Sequence, residues 1–276
     1  MDAPHSDPLI ARAMDVNLTF TETLPNFICK QKMTRKQSRD HGQKWRTRDV
    51  IEAEIILVDG IEDYRNLQVN GRPATIAEAE AGGSWSSGEF AQMLRNILHP
   101  GIHAEFSPAG PSVVRGRETV QYDYKISKEN SRWFLEFGST KYRPAYEGRI
   151  WIDEENARVM RIEMLAQNLP ASVLVSSVET DLEYDWVDIG DQRHLLPTTS
   201  ANLSCQSGKN RNFCGLNEIS FTEYNKFGAE SAMSFGGEEV VTEAEPIAEE
   251  PEIIDVPQLP EVPDAPIERP TLRRKR

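Results

Sequence analysis

His99 and His103 lie four residues apart, the spacing of paired metal ligands on one helix face. Pro100-Gly101 sits between them and breaks any helix that would align the two imidazoles. They read as loop histidines. His5, His41 and His194 are isolated, and no Cys/His cluster has zinc-site spacing, so no metal or other cofactor is expected. Residues 82–88, Gly-Gly-Ser-Trp-Ser-Ser-Gly, invite a nucleophilic-serine reading. They lack the glycine-x-serine-x-glycine elbow and its strand-to-helix setting, and read instead as a flexible loop ending in a helix cap. Asp153, Glu154 and Glu155 could do acid–base work if paired in space. At a hairpin turn they are expected to be solvated, with Asp153 accepting from local backbone amides. No catalytic residue is assigned.

Charge supplies the next candidates. Lys30, Lys32, Arg35, Lys36, Arg39, Lys44, Arg46 and Arg48 crowd one stretch in which only Asp40 opposes them. Such a hairpin can bind an anionic head group or the chain's own acidic tail, or it can simply be a solvated strand face. Lys30, Lys32, Lys36, Arg46 and Arg48 are the candidate anion binders. The net charge of −13 argues against nucleic acid as a partner, because phosphate backbones select basic surfaces. From Glu238 onward eleven acids face five bases among seven prolines. That composition cannot bury enough apolar area to offset ordering entropy, so residues 237–276 are expected to form a disordered, acidic, proline-rich tail.

Three cysteines are present. Cys205 and Cys214 are placed about equally far from a turn near residues 207–210 and could face each other across a hairpin. They form either a disulfide, which implies an oxidising compartment, or two buried thiols. Cys29 is left over either way. The first residues have neither a basic start nor an apolar stretch, so no signal peptide is expected in the chain as given. Either the protein is cytoplasmic or the sequence begins after a removed leader. No apolar run is long enough to cross a bilayer as a helix.

The elements that would position these residues are mostly strands. Residues 8–23 are helical by periodicity, with Leu9, Ala13, Val16 and Phe20 on one stripe, Asp7 placed as cap and Pro8 in the first turn. A second helix is expected near 87–98, capped through Ser86 and Glu89, with Phe90, Met93, Leu94, Ile97 and Leu98 buried. Strands are expected at 26–36, 45–58, 63–69, 102–106, 119–126, 133–137, 146–152, 158–165, 173–187, 194–205, 212–224 and 229–235. The fold expected for residues 8–236 is mainly β: a single strongly curved antiparallel sheet of about ten to twelve strands, an open or incomplete barrel with two amphipathic helices. Two helices cover little of such a sheet, so its inner face must curl on itself or shelter something apolar.

The hairpin Tyr146-Glu-Gly-Arg-Ile-Trp-Ile-Asp153 followed by Arg158-Val-Met-Arg-Ile162 resembles one in the bacterial outer-membrane lipoprotein carriers of LolA-like and LolB-like type and their sensor relatives. The body as a whole also looks like a group of uncharacterised, usually exported bacterial proteins. That likeness rests on Leu24-Pro-Asn-Phe-Ile-Cys29, Ser87-Gly-Glu-Phe90 and Tyr224-Asn-Lys-Phe227. The first resemblance implies an incompletely closed barrel capped by helices, with a concave apolar surface for an acyl chain or hydrophobic peptide, and no catalytic residues. The expected function is thus a non-enzymatic binding or carrier module, periplasmic or secreted, for a lipid, acyl chain or lipoprotein-like ligand. Val120, Tyr122, Tyr124, Trp133, Leu135, Phe137, Ile150, Ile152, Met160 and Ile162 are the candidate ligand-facing residues. A protein-interaction or envelope-stress sensor domain, recruiting its partner through the basic hairpin or tail, is the alternative. An envelope hydrolase is the third.

Overall fold

The computed structural model describes residues 7–227, apart from 86–87, 138–139, 168, 171–172, 174 and 207–212. Helix α1 (Pro8–Glu22) leads into strands β1 (Phe27–Ser38), β2 (Arg46–Val58), β3 (Ile61–Val69) and the two-residue β4 (Arg72–Pro73). Helices α2 (Ile76–Ala81) and α3 (Gln92–Leu98) follow, with a 3-10 turn at Pro100–Ile102. The rest is β: β5 (Glu105–Val114), β6 (Arg117–Ile126), β7 (Leu135–Phe137), β8 (Thr140–Tyr142), β9 (Tyr146–Asp153), β10 (Val159–Gln167), β11 (Ser177–Ile189), β12 (Gln192–Cys205) and β13 (Cys214–Lys226).

Eleven of these strands form one antiparallel sheet in the order β4-β3-β2-β1-β13-β12-β11-β10-β9-β6-β5, while β7 and β8 pair separately. The edge strands β4 and β5 do not meet, so the sheet stays open. One hydrophobic cluster joins Ile55 and Leu67 near one edge to Tyr122 and Phe106 near the other, with Phe20, Leu94 and Ile97 from the helices between them. The sheet therefore wraps around α1 and α3, as the count of strands against helices requires. Strand parity builds that inner face. In β1, Phe27, Cys29 and Met33 point inward while Lys30 and Lys32 point out.

Helix α1 begins where the sequence places it, with Asp7 Oδ1 accepting from the Leu9 amide at 2.8 Å and Pro8 in the first turn. The second expected helix begins later, at Gln92, with no side-chain cap at Ala91. Ser86 and Ser87 lie outside the described residues. A real capping box occurs earlier, at Thr75 and Glu78 of α2, a helix too short for apolar periodicity to reveal. Strand β5 is longer than the expected 102–106 and carries Pro108 and Pro111, which an edge strand tolerates because its outer amides need no partner. Strand β11 starts at Ser177 rather than 173, and Trp133 precedes β7 instead of lying in a strand. The expected strand 229–235 and the tail fall outside the described residues. No described helix is long and apolar enough to cross a membrane.

Candidate functional site

The inward row of the β6-β9-β10 hairpins collects most of the apolar candidates. Val120 pairs with Ile152, and Tyr122 with Ile150, which in turn pairs with Ile162. Tyr122, Tyr124, Ile150, Ile152, Met160 and Ile162 are all buried in the main core, and Val120 and Trp133 pack against it half-buried. Leu135 is buried on β7, and the side chain of Phe137 lies outside the described residues. Gly148 makes this packing possible. The Tyr124 hydroxyl donates to the Glu163 carbonyl at 2.9 Å directly over it, and a Cβ at Gly148 would stand 1.9 Å from that carbonyl oxygen. These side chains pack against one another beneath the helices.

The helices are fixed over the row by polar contacts. Asn17, buried on α1, donates from Nδ2 to the Ala157 carbonyl at 3.0 Å and accepts from the Val159 amide at 3.2 Å. The Tyr122 hydroxyl donates to Asp7 Oδ2 at 2.8 Å, and Arg95 of α3 donates to Thr21 Oγ1 and the Thr21 carbonyl. Between α1, α3 and strands β10–β12 lies a closed seam, lined by Asn17, Phe20, Leu94, Arg158, Val159, Tyr184 and Leu195. It leaves no room for a water molecule. The guanidinium of Arg158 sits 4.6 Å from the Phe20 ring centroid. Its Nη1 and the Tyr184 hydroxyl are buried without a hydrogen-bond partner among the described residues. None of the seam's polar groups was identifiable as such from the sequence, because they meet only when α1 lies across the β9–β10 turn.

The basic stretch is largely neutralised by neighbouring strands. Lys30 pairs with Glu223 (2.7 Å), Lys32 with Glu52 (3.1 Å) and Lys36 with Glu218 (2.6 Å). Their partners come from β2 and β13, which no local reading of residues 30–48 could supply. Arg46 and Arg48 are exposed, Arg48 standing 3.8 Å from Asp49. Arg35 is not a surface cation. It is buried, donates to both oxygens of Asp49 at 2.6 and 2.7 Å, and caps α2 through the Ala79 carbonyl at 2.7 Å. Gly82 and Gly83 let the following loop approach its guanidinium, since a Cβ at Gly82 would lie 2.5 Å from Arg35 Nη2.

A second, open depression of about 410 Å³ lies at the β5–β6 and β9–β10 turns, lined by Gly116, Arg117, Glu118, Asp153, Glu154 and Glu155. Asp153 is buried and accepts from the Glu155 and Asn156 amides at 3.0 and 3.1 Å while pairing with Arg117. Burial works against its charge, but the Arg117 guanidinium and the two amides outweigh it and hold the carboxyl below its ordinary range. Asp153 bonds the turn amides as expected, but it is buried rather than solvated, because Arg117 covers it and balances its charge. His99 Nδ1 accepts from the Gly101 amide at 3.1 Å, and Ser84 Oγ hydrogen-bonds Asn217 rather than a base. Cys205 and Cys214 are joined by a disulfide across β12 and β13, and Cys29 is a free, buried thiol.

No protein-family model and no curated relative matches the chain. Among solved structures it is similar to an outer membrane lipoprotein-sorting protein domain from Vibrio parahaemolyticus, at 10% identity over 77% of this chain and 90% of that one, with a TM-score of 0.37. A DUF1329 family protein from Desulfovibrio piger aligns at 12% identity over 84% and 98%, TM-score 0.39. A LolA superfamily protein from Nitrosomonas europaea aligns at 9% identity over 82% and 94%, TM-score 0.31.

Proposed function

We propose that this protein is a non-enzymatic binding module. In this reading it takes an apolar chain, from a lipid or a lipidated protein, between its helix layer and the inner face of its sheet. The observation that supports it is the seam under α1 and α3, where Phe20, Leu94, Val159 and Leu195 converge in an otherwise closely packed interior. As it stands the seam is closed, against the ~300–1,000 Å³ of ordinary small-molecule sites, so loading requires α1 to lift. Val120, Tyr122, Ile150, Ile152, Met160 and Ile162 beneath the helices would then face the chain. A cell-envelope location is supported by the Cys205–Cys214 bond, which oxidising compartments favour. Recruitment of a protein through the basic strand is the weaker reading, because Lys30, Lys32 and Lys36 already have acidic partners.

Native mass spectrometry of the purified protein, followed by organic extraction, tests the reading. A bound species of acyl-chain mass, released by solvent, is the expected result. Protein that carries nothing and takes up no added long-chain ester would overturn it.

A further inference from the structure

Three polar residues line the seam; Asn17 is fully hydrogen-bonded, whereas Arg158 and Tyr184 are chemically incomplete. Arg158 follows the β9–β10 turn and turns its guanidinium into the seam over Phe20, with Nη1 buried and unpartnered among the described residues. No carboxylate lies within ion-pair distance of it among the described residues, in contrast to Arg35, Arg115, Arg117 and Arg161. Burial works against its charge with no acidic neighbour to compensate. Stacking on an aromatic ring offsets only part of the cost of a desolvated cation. Tyr184, 1% exposed, lines the same seam with its hydroxyl unpartnered. Glu89 bears on the Tyr184 hydroxyl but does not line the seam. His194 lies near enough for burial and the Arg158 charge to push its pKa down, which favours the neutral ring. The polar end of the seam therefore offers one fixed positive charge and two free donors.

Resting on the apolar-chain reading above, we infer that the ligand is a single-chain amphiphile ending in a carboxylate, its oxygens bound by the Arg158 guanidinium and the Tyr184 hydroxyl. One fixed cation matches a monoanion better than a doubly charged phosphate monoester, and a planar guanidinium matches the fork of a carboxylate. The apolar wall formed by Phe20, Leu94 and Leu195 takes the first part of the chain. The proposal also gives partners to polar atoms that have none among the described residues.

The test compares palmitate with methyl palmitate by calorimetric titration of the wild-type protein and of Arg158→Gln and Tyr184→Phe. Wild type should prefer the acid by at least about tenfold, the scale of a lost charge-assisted hydrogen bond. Arg158→Gln should lose the preference for the acid over the ester, and Tyr184→Phe, which keeps the ring, should lose part of it. Equal binding of acid and ester by wild type would overturn the carboxylate assignment and leave the apolar reading standing. A preference that survives in both variants would overturn the assignment to these residues. Binding of neither ligand would overturn both readings together.

Discussion

Arg35 and Arg158 both lie beneath helices, yet their surroundings give them opposite energetics. Arg35 has both carboxylate oxygens of Asp49 and a helix-terminal carbonyl, so its buried charge is matched on three donors. Replacing it with Met leaves the buried Asp49 only the exposed Arg48 at 3.8 Å, and Arg35→Met is expected to cost about 3–5 kcal/mol in urea unfolding. Adding Asp49→Leu to that variant should recover much of the loss, because removing both charges is close to neutral; no recovery would show that the pair does not act as a unit. Strand parity already carried part of this answer. Phe27, Cys29 and Met33 alternate with Lys30 and Lys32, so Arg35 falls on the apolar side of its strand. Eight cations within residues 30–48 mask that parity, because charge composition does not distinguish the two faces of a strand. The partner Asp49 was equally visible, but its register against Arg35 depends on a strand pairing that composition does not specify.

Helix α1 was readable end to end from Asp7, Pro8 and its apolar stripe, since capping and periodicity are local properties. What holds it down was not. Asn17 looks like an ordinary polar position on a helix until the β9–β10 turn arrives beside it and presents the Ala157 carbonyl and Val159 amide. Asn17→Ala strips the side chain from both groups, and each buried group left unpaired costs about 1–3 kcal/mol. The variant should exchange the amides of α1 faster than wild type while those of β9 and β10 stay protected; uniform exchange across all three would mean that α1 does not move separately. Other elements were hidden for equally physical reasons. Prolines at 108 and 111 mask β5 because sequence rules penalise them in strands, although an edge position removes the penalty. Helix α2 owes its existence to a capping box and to Arg35 at its end, and six residues are too few to show a period.

At the scale of the molecule, the open antiparallel sheet wrapped around α1 and α3 follows from strand alternation and a shortage of helical cover. The disulfide adds a clip at one end of the β12–β13 pair, across a loop of nine residues' separation. Reduction should lower unfolding stability by about 2–3 kcal/mol, measured as a shift in the urea midpoint with and without reductant. Cys29 is the only other thiol and is buried, so a null shift would mean that the bridge adds nothing to this hairpin. The sheet order has a further consequence for how the chain reaches this state. The strand made first, β1, lies in the middle of the sheet between β2 and β13, the last described strand. Its pairing with β2 is local and early, but its other edge stays bare until Cys214–Lys226 has been made. Such long-range pairing is slow, and an uncovered strand edge recruits wrong neighbours while it waits. The sheet therefore stays in two halves, β4 to β1 and β12 to β5, until β13 joins them.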